Sequence, residues 1–90
     1  MLENIEKGQI VKALAGRDKG GLFLVVEVVD KLFIKIVNGG TRPVKKPKVK
    51  KIKHVRLTRY ELPEFTEKLV NKKPISNAGL KKALNALKGE

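Results

Sequence analysis

The stretch GQIVKALAGRDKGGLFLVV, residues 8–26, decides the fold. Gln9 to Ala15 reads as a strand. The glycines Gly16, Gly20 and Gly21, with Asp18 among them, supply the positive φ and the local side-chain bonds of a tight turn. Leu22 to Val29, rich in valine, is the strongest strand in the chain. Together they form an antiparallel hairpin. In its second arm Leu22, Leu24, Val26 and Val28 share one face and Phe23, Val25, Glu27 and Val29 the other, with Glu27 marking the second face as the wetter.

Outward from there, Asp30-Lys31 turns the chain back into a strand from Phe33 to Val37, and Asn38-Gly39-Gly40 ends it. Thr41 to Lys51, with Pro43, Pro47 and many lysines, reads as an extended loop or edge segment. A last strand spans Ile52 to Leu57, with Val55 and Leu57 inward and His54 and Arg56 outward. Past Tyr60 the period becomes helical. Pro63, Glu64 and Glu67 suit a helix N-terminus, and Phe65, Leu69 and Val70 fall on one face. Ser76 caps a second helix, Ile75 staples onto Leu80, and Leu80, Ala83, Leu84 and Leu87 form one apolar stripe that Gly89 ends. Strands followed by helices, without alternation of the two, predict a mainly β protein: a small barrel over residues 1–60 and a two-helix C-terminal appendage over 61–90.

Composition narrows the class. Ninety residues support one core, since a chain this size buries only about 60–65% of its unfolded surface. With no cysteine, disulfides, thiolate zinc sites and cysteine nucleophiles are excluded, and a reducing compartment fits. Met1-Leu2-Glu3-Asn4 opens no basic and apolar leader, and no run approaches the roughly 18 apolar residues of a membrane span. The expectation is a soluble cytoplasmic protein. One histidine in a basic setting, with Asp18 and Asp30 both in turns, supports no catalytic constellation, cofactor, metal or small-molecule substrate. The expectation is a binding protein and not an enzyme.

Charge is the dominant signal. Lys and Arg number 21 against 9 Asp and Glu, a net +12, and nine of the 21 lie between Arg42 and Arg59, where there is no acid. That segment therefore carries +9, leaving +3 for the other 72 residues. A charged face that merely keeps the protein soluble is the plain alternative. Against it, nine close cations repel one another, and an acid-free segment offers no local ion pair, so a polyanion is the natural partner.

The glycine-turn hairpin of residues 8–26 resembles the KOW motif, with apolar alternation, a glycine turn, Asp18-Lys19-Gly20 and a hydrophobic strand. Glu27 to Thr58 extends the resemblance to KOW-type proteins of the archaeal and eukaryotic large ribosomal subunit and their small bacterial relatives. Val28-Val29-Asp30 matches their hairpin, Asn38-Gly39-Gly40 leads to Arg42, and Lys46-Pro47-Lys48 with Lys53-His54-Val55 matches their basic return strand. The resemblance covers roughly residues 5–60 and implies a five-stranded SH3-like barrel that binds RNA or ribonucleoprotein.

The candidate RNA contacts are Arg17 and Lys19 on the turn, then Arg42, Lys45, Lys46, Lys48, Lys50, Lys51, Lys53, His54, Arg56 and Arg59. Cations before Ile52 should be mobile on a loop, while Lys53, His54 and Arg56 should be held on the last strand. The turn's glycines serve hairpin geometry and Asp18 its stability, whereas Arg17 and Lys19 stand beside exposed backbone N–H groups and can approach a phosphate. His54 either stacks on a base, bonds a phosphate, or is plain surface. Phe23, Phe33 and Phe65 take core positions and Tyr60 alone is a stacking candidate, which favours structured RNA read by shape and phosphate. The helices brace the barrel or dock a protein partner, and Lys72, Lys73, Lys81, Lys82 and Lys88 add charge to them. The reading is RNA binding, to ribosomal RNA or the ribosome. Its rivals are a protein-interaction module docking on RNA polymerase or an assembly factor, and nonspecific binding of duplex DNA.

Overall fold

The structure, a computed structural model, describes residues 4–88. Met1 to Glu3, and the expected helix stop at Gly89, lie outside the described residues. Five strands make one antiparallel sheet: β1 (Ile10–Ala13), β2 (Leu22–Val28), β3 (Phe33–Val37), β4 (Lys48–Lys51) and β5 (Val55–Leu57), in the order β4-β3-β2-β1-β5. Two helices follow, α1 (Pro63–Val70) and α2 (Asn77–Lys88).

The hairpin forms as its residues dictate. Gly16 and Gly20 take φ of +78° and +87°, and the ladder brings Lys12 opposite Leu22, Val11 opposite Phe23 and Ile10 opposite Leu24. Both faces of β2 are buried at its start, which corrects the expectation of a wetter second face. Phe23 and Val25 are 2% and 0% exposed. They pack with Val11, Ala13, Ile34, Ile36 and Val55 on the side of the sheet away from the helices. That cluster, with Ile52 and Leu57 packed against it, covers the second face. Leu22 and Leu24, with Ile10 and Val37, pack instead against Phe65, Leu80 and Leu84 of the helices. Glu27 follows a bulge between Val25 and Glu27 and reaches the surface, where its carboxylate lies 3.7 Å from Lys35 Nζ.

In the basic segment, Lys48–Lys51 takes the edge alternative expected for residues 41–51, while the last strand is altered. Lys48–Lys51 is a strand paired along β3, with Lys50 opposite Ile34 and Lys48 opposite Ile36. The predicted strand at Ile52 is shorter: Ile52–His54 forms one turn of 3-10 helix, and only Val55–Leu57 pairs with β1. These three residues carry the chain from β4, paired with β3, to β5, paired with β1, and the tight turn supplies the change of direction. It is pinned at both ends, Ile52 N–H donating to Leu32 O and His54 O accepting from Leu14 N–H, each at 2.8 Å. Val55 is buried and Arg56 exposed, as the alternation predicts.

The helices brace the sheet. Pro63 starts α1, where its missing N–H costs nothing. Phe65 is buried and Leu69 half-buried, but Val70, expected on the same face, is 69% exposed, because at 3.6 residues per turn it falls about 140° around the helix from Phe65. Ser76 Oγ accepts from Gly79 N–H at 3.1 Å, the expected cap of α2. Gly39, at φ +79°, lets the loop after β3 pass against the backbone of Asn77, where any Cβ would collide. Asn77 Oδ1 in turn accepts from Val44 N–H at 2.8 Å. No helix among the described residues is long and apolar enough to cross a membrane.

Candidate nucleic-acid interface

The turn of residues 16–21 is the centre of the basic surface, and an acid fixes it. Asp18 O accepts from Gly21 N–H at 2.9 Å, while its carboxylate turns toward the segment after β3. Arg42 Nε donates to Asp18 Oδ1 at 3.3 Å and Arg42 Nη2 to Oδ2 at 3.1 Å. Lys50 Nζ lies 4.0 Å from the same Oδ2 and donates to Ala15 O at 3.0 Å. The side chains of Asp18 and Lys50 are only 8% and 10% exposed. The basic segment has no local acid, as its composition states, and is relieved from a distance: Asp18 lies 24 residues before Arg42. Arg42 and Lys50 are committed to this cluster, which ties the turn, the post-β3 loop and β4 into one rigid piece.

That anchoring presents the other cations. Arg17 and Lys19 are exposed on the turn. They share a shallow hollow with Thr41, Arg42 and Lys88. Lys88, at the end of α2, and Lys81, which lines a neighbouring hollow with Asn38, Thr41 and Lys88, bring the helix's charge to the same surface. Lys45 and Lys46 stand exposed in the turn that Lys46 N–H closes onto Pro43 O at 2.9 Å. Lys48 and Lys51 are exposed on β4. Lysines on an edge strand also discourage pairing with another chain, which is a structural reason for them in its own right.

The predicted division into mobile and fixed cations is reversed in part. Lys50, assigned to the loop, is the most immobilised, and Lys48 and Lys51 are held by the ladder to β3. Of the group expected on the last strand, Lys53 and half-buried His54 sit on the 3-10 turn and only Arg56 lies on β5. Arg59 is separated from the rest. It lines a groove of about 620 Å³ with Glu6, Glu61 and Glu67. Tyr60 lines that groove as well and packs on the helix-side core, so the expected stacking residue lies away from the basic surface.

No family model matches the chain, and no curated protein does. The site thus rests on its own geometry.

One basic residue, Lys12, escaped sequence reasoning. Lys12 is the direct cross-strand neighbour of Arg56, and both are exposed; neither is paired with a carboxylate among the described residues. Like charges placed opposite one another on a sheet are destabilising, so this pair adds a site where an anion is favoured. Its only sequence signal is the polar position of Lys12 within an apolar strand. Phe33, assigned to the core, is half-buried beside Leu32, which is 64% exposed.

Proposed function

We propose that this chain is a KOW-type RNA-binding protein, ribosomal or ribosome-associated, that contacts structured RNA through phosphates and changes no covalent bond in it. The observation that carries the reading is the Asp18 cluster. By pairing Asp18 with Arg42 and Lys50, it holds the turn, the loop after β3 and β4, while Arg17, Lys19, Lys45, Lys46, Lys48 and Arg56 stay exposed for a polyanion. Rigid placement lowers the entropy lost on binding. An SH3-like barrel belongs to the same proposal, supported by the strand order and by the single turn that carries the chain from one sheet edge to the other. So does a cytoplasmic setting.

The test is co-sedimentation with ribosomes, and binding to ribosomal RNA, across a salt series. Affinity should fall with log salt at a slope of about −0.7 to −0.9 per phosphate neutralised. Lys45, Lys46, Lys48 and Lys51 changed together to Ala should weaken binding and flatten the slope. Association that ignores both salt and these substitutions refutes the reading. Association that survives nuclease treatment favours docking on RNA polymerase or an assembly factor, and equal affinity for DNA and RNA duplexes of one length favours nonspecific DNA binding.

A further inference from the structure

A second surface lies where β3 begins and β4 ends. Lys31, Leu32, Phe33, Lys51, Ile52 and Lys53 line an open slot of about 320 Å³. Its walls are apolar: Leu32 is 64% exposed, and Phe33 and Ile52 are half-buried. Val49, 48% exposed, stands on the same side of the sheet as Phe33 and Lys51. The slot is built before any ligand arrives. Asp30 Oδ1 accepts from the backbone N–H of Leu32 at 2.8 Å and of Phe33 at 2.9 Å, and Ile52 N–H donates to Leu32 O at 2.8 Å. One oxygen of Asp30 is thus turned into the backbone, Glu6 and Asp30 line an adjoining hollow with Lys31 and Ile52, and all three charged residues lining the slot itself are lysines.

An exposed apolar floor ringed by cations complements a ligand that is flat and apolar in the middle and negative at its edges. A nucleotide has this shape: the π-face of the base lies on aromatic or aliphatic side chains and the phosphates reach the surrounding lysines. An acidic peptide helix docks through anchors spread over several turns, whereas this slot is at the low end of the roughly 300–1,000 Å³ of small-ligand pockets. It holds one ring.

We propose that the slot receives one unstacked nucleobase of the bound RNA, with the flanking phosphates on Lys31, Lys51 and Lys53. This rests on the RNA-binding reading and narrows its substrate class to helical RNA interrupted by a bulged or looped-out nucleotide. The slot continues from β4, so the strand that offers Lys48 to a backbone phosphate delivers Lys51 to the base site.

Two fluorescein-labelled RNA hairpins, identical except for one bulged uridine, test this by anisotropy with the full chain. The bulged hairpin should bind about fivefold tighter or more. Leu32→Ala with Phe33→Leu should bring the two affinities together and leave that for the perfect hairpin unchanged. Leu32→Ala alone, at an exposed position, should remove part of the preference and serves if the double variant does not fold. With 5-iodouridine in the bulge, the photocrosslink should map to residues 31–33 or 51–53. Equal wild-type affinities, a preference untouched by Leu32→Ala, or a crosslink elsewhere overturns the slot and leaves RNA binding standing. Failure to bind either hairpin overturns both.

Discussion

Arg42 grips Asp18 with two hydrogen bonds, 3.3 Å from Nε to Oδ1 and 3.1 Å from Nη2 to Oδ2, across 24 positions of sequence. The pair joins the tip of the first hairpin to the loop that leads into β4. Lys50 completes it from the strand itself. A basic protein thus uses an aspartate to organise its cations, and the consequences can be separated by substitution.

Lys50 and Lys48 lie two positions apart on β4 but should fail differently. Lys50→Ala removes a nearly buried ammonium from Asp18 and Ala15 O, and should lower stability by about 1–3 kcal/mol. Asp18→Ala strands two cations and should cost about 3 kcal/mol or more. Lys48→Ala, exposed, should stay within about 0.5 kcal/mol of wild type and weaken RNA binding instead. Urea denaturation and RNA titration on the three variants check this, and equal stability losses at Lys48 and Lys50 would count against the cluster.

The Lys12–Arg56 pair should trade stability against binding. Arg56→Glu turns a like-charge cross-strand neighbour into an opposite one and should stabilise the fold by about 0.5 kcal/mol. The same change places a carboxylate on the basic surface, so RNA affinity should fall. A thermal melt that drops, or affinity that holds, contradicts the assignment of this pair.

Gly39 and Gly20 both have positive φ, +79° and +87°, but only Gly39 has the backbone of Asn77 and Lys81 against it. Gly20→Ala carries the conformational cost alone, about 1 kcal/mol. Gly39→Ala adds a collision with a helix terminus and should cost roughly 2–4 kcal/mol. Chemical denaturation of the two variants should therefore rank them in that order.

The helices should be inseparable from the sheet. Leu80, fully buried against Ile10, Leu24 and Val37 among others, should cost about 2–5 kcal/mol when changed to Ala. A fragment of residues 1–60 would expose that whole face, and should give neither a cooperative melt nor a monomeric elution profile. A fragment that folds on its own would support a separate unit ending at residue 60.

How much was legible follows from range. The 16–21 turn could be read from its glycines and Asp18, the β1–β3 strands from their valine-rich alternation, and the helix starts from Pro63 and Ser76. Each is decided by φ preferences, side-chain period or a cap within a few residues. The localisation of charge between Arg42 and Arg59 was legible for the same reason, being a count along the chain. Lys48–Lys51 was legible only as an extended loop or edge segment, with the choice between them open. Its lysines disfavour β structure, and only the ladder offered by β3 overrides that preference.

What the tertiary structure alone decided is which groups meet. Asp18 reaches Arg42 and Lys50, Lys12 stands across from Arg56, and Phe33 opens onto a slot where Phe23 is sealed in. Register and packing set these relationships, and neither is carried by neighbouring residues. The sequence by itself determined where the chain turns and how its positive charge is distributed. The fold determined which of those charges are consumed in holding the turn and which stay exposed, because pairing an ion depends on distance in space and not along the chain.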